Sequence, residues 1–107
     1  MTSDPEKIKR LEEILADEPD DHTGFFLLGR LYSEAERHAD AAAAFRRAVD
    51  LKADYSAAWR QMGDAYRKLG DPEQAAAVYR QGIAIAEANG DLQTMKEMQV
   101  FLRKVTE

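Results

Sequence analysis

Side chains able to do chemistry are thinly spread along this chain, and the few that gather do so at helix-forming spacings. His22 follows Asp20 and Asp21. Imidazole and carboxylate are metal ligands, but acids at the start of a helix also satisfy its unpaired N–H groups and its dipole, and that is the expected role here. His38 falls in an expected turn and is read as exposed. No serine, histidine and acid combination, no glycine-rich phosphate loop and no paired buried carboxylate can be assembled from the sequence, so neither a catalytic residue nor a cofactor nor a metal site is expected. Cysteine is absent, which removes thiolate metal ligands, thiol nucleophiles and disulfides. What remains is ionic: Arg60, Asp64, Arg67 and Lys68 stand three and four residues apart, the spacing at which side chains meet on one helix face. Arginine can grip a carboxylate through two parallel hydrogen bonds, so this set offers either recognition of an acidic group or solvated ion pairs within a helix.

The elements that must position these groups are bounded by composition. With 107 residues, 45% hydrophobic and 33% charged, the chain is large enough for one elongated core and too small for two. A net charge of −5 argues against broad nucleic-acid binding, because phosphate contacts need a clustered basic surface. The N-terminal Met1-Thr2-Ser3-Asp4-Pro5-Glu6-Lys7 has no basic-then-apolar leader, and no apolar run approaches the roughly 18 to 20 residues of a membrane span. A cytoplasmic protein without membrane contact is the expectation.

Apolar residues recur at helical spacing throughout. Ile8, Leu11, Ile14 and Leu15 define a first helix over about 5–16, with Asp4 as its cap and Pro5 at its first position. Pro19 with Asp20-Asp21 ends it and starts the next, from about 21 to 35. A third helix spans about 39–51, and Asp54 is the expected cap of a fourth reaching Leu69. Gly70-Asp71-Pro72 combines a left-handed stop, an N-cap and a first-turn proline; Asn89-Gly90 is a second such stop. A last helix over 91–105 carries Leu92, Met95, Met98, Phe101, Leu102 and Val105.

These helices repeat. Phe25-x-x-Leu28-Gly29-x-x-Tyr32 returns 34 residues later as Trp59-x-x-Met62-Gly63-x-x-Tyr66, and Ala41-x-x-x-Phe45 returns as Ala75-x-x-x-Tyr79. A unit of two short helices cannot bury its own apolar face and must stack on a neighbour. Glycine inside a helix costs about 1 kcal/mol relative to alanine, so Gly29 and Gly63 at one phase mark close helix approach, with Ala41 and Ala75 as the surfaces they are expected to meet. Phe25, Trp59, Phe45 and Tyr79 supply bulk between layers.

The pattern resembles the tetratricopeptide repeat, with Phe25, Leu28, Gly29, Tyr32, Ala41, Phe45 and Ala48 matching in residues 22–55 and Trp59, Met62, Gly63, Tyr66, Ala75 and Tyr79 in residues 56–89. The departures are the absent proline at Ala53 and Glu87, and Gly82 where alanine is usual. Residues 5–19 resemble the second half of a preceding repeat, and residues 91–105 a closing helix. The resemblance implies an all-α superhelical solenoid of about six antiparallel helices in a single domain, acting as a protein-interaction adaptor and not as an enzyme. It further implies that the first helix of each repeat lines a concave face, at Thr23, Phe26, Arg30 and Ser33 and then Ala57, Arg60, Asp64, Arg67 and Lys68. With four cations among them, that face is expected to take an acidic peptide or a C-terminal carboxylate of a partner protein. Because Phe25 holds the packing position, Phe26 is expected to turn toward the groove or onto the N-terminal helix. Family members that clamp chaperone tails need lysine and asparagine where this chain has Phe26 and Arg30, so that activity is not expected. The alternative is a homodimer or subunit contact through the last helix, which Val100 and Phe101 make apolar on more than one side.

Overall fold

Several helix boundaries in this chain have a local cause. In a computed structural model, which describes residues 4–107, the helices are α1 (Asp4–Asp17), α2 (His22–Glu34), α3 (His38–Leu51), α4 (Ser56–Lys68), α5 (Pro72–Asn89) and α6 (Leu92–Thr106). There is no strand among the described residues. Asp4 begins α1 and does not precede it, and the side chain expected to cap that helix lies outside the described residues. Asp21, Asp71 and Asp91 cap α2, α5 and α6, each carboxylate accepting from the backbone N–H three residues on: Gly24 at 2.9 Å, Gln74 at 3.2 Å and Thr94 at 3.3 Å. Asp54 does not cap α4. That place belongs to Tyr55, which makes no side-chain cap, while the Asp54 carboxylate takes a 2.9 Å hydrogen bond from Lys52.

Three turns close alike. The N–H of Arg37, Asp71 and Asp91 each reaches back five residues, to the carbonyls of Tyr32, Tyr66 and Ala86 at 2.8, 3.0 and 2.8 Å. The residue before each is left-handed, Gly70 at φ 78°, Gly90 at φ 74° and Glu36 at φ 60°. The turn at Ala53, which lacks the family's proline, is fastened by side chains instead: Trp59 Nε1 donates to the Ala53 carbonyl at 2.9 Å and Asn89 Nδ2 to the Asp54 carbonyl at 2.7 Å.

Successive helices pack against each other in chain order, and α4 also meets α6, the stacking expected of a solenoid whose even-numbered helices share one side. The stack measures 38 × 27 × 22 Å. Its core runs along the layer boundary, with Phe45, Met62, Val78, Tyr79 and Met98 the largest fully enclosed side chains. Gly29 and Gly63 allow this close packing, and their nearest neighbours are aromatic rings of the following helix. A Cβ on Gly29 would lie 2.5 Å from the ring of Phe45, and one on Gly63 would run into the ring of Tyr79. Each ring stands one helical turn beyond Ala41 or Ala75. Gly82 has the same purpose. The backbone there takes Met98 of α6, whose sulfur would stand 2.5 Å from an added Cβ, with Trp59 Cβ at 2.9 Å. The departure from alanine is what seats α6.

Candidate peptide-binding face

Positions three and four apart on α4 place Arg60, Asp64 and Arg67 in a row, and the packing of α5 and α6 converts that row into a network. Arg60 meets Asp64 at 3.4 Å and reaches Glu97 of α6 at 3.5 Å. Arg67 approaches the other oxygen of Asp64 at 3.6 Å. From the core side, the Tyr79 hydroxyl donates to Asp64 Oδ1 at 2.5 Å and accepts from Arg67 Nε at 3.3 Å. Burial, and then the hydrogen bond given to Asp64, push the Tyr79 hydroxyl far above the ordinary phenol range. Burial works against the Arg67 cation, but the Tyr79 hydroxyl and the Asp64 carboxylate outweigh it and hold the guanidinium charged. That guanidinium also lies 4.4 Å from the centre of the Phe101 ring, which is stacked 6.2 Å from Tyr79.

Two of the cations expected to await a ligand are therefore already joined to carboxylates of their own chain. Arg30 and Lys68 are different: both are exposed, and among the described residues neither forms an ion pair. Ser33, on α2, is half-buried, Thr23 is exposed and Ala57 half-buried. Phe26 has its aromatic partners on α3 and beside α4. It is half-buried, with its ring 4.8 Å from Tyr55 at the start of α4 and 5.7 Å from Phe45. Tyr55 was not legible as a site residue; its only sequence signal is an aromatic at a turn position where the first repeat has Asp21. Burial raises its hydroxyl above the usual value, against the opposing charges of Lys52 and Arg30.

The remaining candidates are structural. His22 opens α2 with its ring edge-on to Tyr55 at 5.7 Å, and no group of three or more His, Asp or Glu among the described residues could hold a metal. His38 is not exposed in a turn: it begins α3, half-buried, with Nδ1 enclosed. Phe101 is largely spent within its own chain, between Tyr79, Arg67 and Lys104, and Met98 is fully enclosed. Of the apolar residues that widened the face of α6 in the sequence, Val100 stays exposed. No helix among the described residues is long and apolar enough to cross a membrane.

Comparison with known proteins agrees with this fold. The chain is 40% identical over 98 residues to a TPR repeat-containing protein of Pseudomonas aeruginosa, covering 92% of this chain and 93% of that protein. It superposes with a TM-score of 0.78 on the solution structure of a protein from Bordetella parapertussis, at 37% identity, covering 92% of this chain and 86% of that one. It is 31% identical over 74 residues to the Hsp70-Hsp90 organizing protein of Triticum aestivum, which spans 69% of this chain but 13% of that protein. A family model described as tetratricopeptide repeat matches residues 32–98. With the 34-residue register, the glycine-on-ring contacts and these likenesses in agreement, the chain belongs to the tetratricopeptide repeat family, a family of protein-interaction modules.

Proposed function

We propose that the protein is an adaptor that holds a peptide segment of a partner protein along α2, α4 and α6, with acidic side chains or a C-terminal carboxylate of the peptide meeting Arg30 and Lys68. The observation that carries this reading is the division of the cations on that face. Arg60 and Arg67 are fixed by Asp64, Glu97 and Tyr79, and Arg30 and Lys68 stand exposed without an ion pair among the described residues, in a chain of net charge −5. A fixed row keeps the wall rigid, and unpaired cations beside it attract carboxylates with no internal pair to break. The likeness to a protein named for organising Hsp70 and Hsp90 supports a role in protein–protein contact, while Phe26 and Arg30 argue for a peptide other than a chaperone tail.

The test uses a fluorescein-labelled peptide rich in Asp and Glu with a free C-terminal carboxylate. Arg30→Glu combined with Lys68→Glu is expected to weaken its binding at least about tenfold, ~1.4 kcal/mol, with the helical circular dichroism unchanged. Equal affinity for the wild type and the double variant would refute the proposal.

A further inference from the structure

The 34-residue register makes α1 the counterpart of α3: Ile8, Leu11, Ile14 and Leu15 stand where the next layer has Ala42, Phe45, Ala48 and Val49. All four residues of α3 are buried, because α2 covers one flank and α4 the other. On the first flank, Gly29 of α2 presses on the Phe45 ring. Among the described residues only one flank of α1 is covered, by α2. Leu15 is enclosed against Gly24 of α2, whereas Ile14 is 46% exposed and Leu11 half-buried. Across from them α2 presents Leu31 and Leu27, the latter 47% exposed, where α4 has Ala65 and Gln61. Between the four lies a groove of about 510 Å³. Its apolar floor occupies the place that, one layer on, is filled by a whole helix.

The rim decides what kind of helix fits. Where α3 offers Ala41 and Ala44 for close backbone approach, α1 has Lys7 and Arg10, and Arg30 of α2 adds a third cation against the single carboxylate of Glu34. A helix lying there cannot nest as α2 nests on α3; it has to bring carboxylates to three cations while its apolar stripe covers the leucines and Ile14. We propose that the α1–α2 groove is a second docking site, which takes an amphipathic helix of a partner protein whose apolar stripe is flanked by aspartate and glutamate. It lies apart from Lys68 and the α4 network, with Arg30 at the border it shares with the peptide-binding face.

The probe is a synthetic 20-residue helical peptide with leucines at positions i, i+3, i+4 and i+7 of each stripe and glutamates flanking them, paired with a twin whose glutamates are lysines. Fluorescence anisotropy is expected to give saturable binding of the glutamate peptide, at least about tenfold tighter than the twin and weakened by raised salt. Lys7→Glu with Arg10→Glu is expected to reverse the preference, and Leu27→Asp to weaken both peptides about tenfold or more; both alter exposed side chains, so folding is checked by circular dichroism. Lys68→Glu is expected to leave the affinity unchanged, which separates this site from the peptide-binding face. Equal affinity for the two peptides, absence of saturation, insensitivity to the α1 variants, or a loss caused by Lys68→Glu would overturn the proposal. So would a dimer in sedimentation velocity that Leu27→Asp disperses, which would assign the groove to a second copy of this chain.

Discussion

Gly63 is the residue on which local and tertiary preferences disagree most. By helix propensity alone, alanine there gains about 1 kcal/mol. A methyl at that position, however, points into the ring of Tyr79, which is fully enclosed and tied through its hydroxyl to Asp64 and Arg67. The ring cannot move aside without breaking those bonds, so the overpacking cost, of order 1–3 kcal/mol, outweighs the propensity gain. Gly63→Ala is thus expected to lower the urea midpoint of unfolding, and a raised midpoint would show that the ring yields. The recurrence of glycine at one phase was readable in the sequence; its contact was not. Ala41 and Ala75 were the partners the sequence suggested, and the atoms nearest the glycines belong to the aromatic one turn on, at Phe45 and Tyr79. Phe26 was readable as surplus to the packing position of Phe25, yet its ring partner Tyr55 lies 29 positions away across a turn, where periodicity carries no information.

The elements were legible where their causes are local. Asp-Pro starts and glycine stops act within a few residues, so the ends of α5 and the caps at Asp21 and Asp71 follow from the sequence, whereas Asp54, equally plausible as a cap, is drawn off by Lys52. The seating of α6 was not legible, because it depends on Met98 of one helix meeting Gly82 of another and on Ser56 of α4 donating to Asp91 at 2.8 Å. One turn carries a measurable inconsistency. Glu36 and Gly70 occupy the same place in their repeats and share the same left-handed backbone, but only glycine adopts it without a steric cost of roughly 1–2 kcal/mol. Set against the extra freedom glycine gives the unfolded chain, about 0.4–1 kcal/mol, Glu36→Gly is expected to raise the thermal midpoint by a few degrees in calorimetry. A lower midpoint would mean that the Glu36 side chain contributes more than its backbone costs.

At the scale of the molecule, six short helices give a wall on the even-numbered side and an unfilled flank at α1. The solenoid itself was readable from a register of 34 residues, because stacked layers repeat their contacts and hence their residue types. The state of the wall was not, since spacing on α4 cannot distinguish cations kept for a ligand from cations bound by α5 and α6. The structure divides them: Arg60 and Arg67 are held within the chain, and Arg30 and Lys68 are exposed. The central claim is that partners are met along the even-numbered layer, and the most direct measurement is the backbone amide shift map of the protein titrated with the acidic carboxylate-ended peptide. The account predicts shifts clustered at Arg30, Ser33, Asp64, Arg67 and Lys68 on α2 and α4 and on the facing side of α6. Shifts confined to α3 and α5, or a spectrum that does not change at saturating peptide, would contradict it.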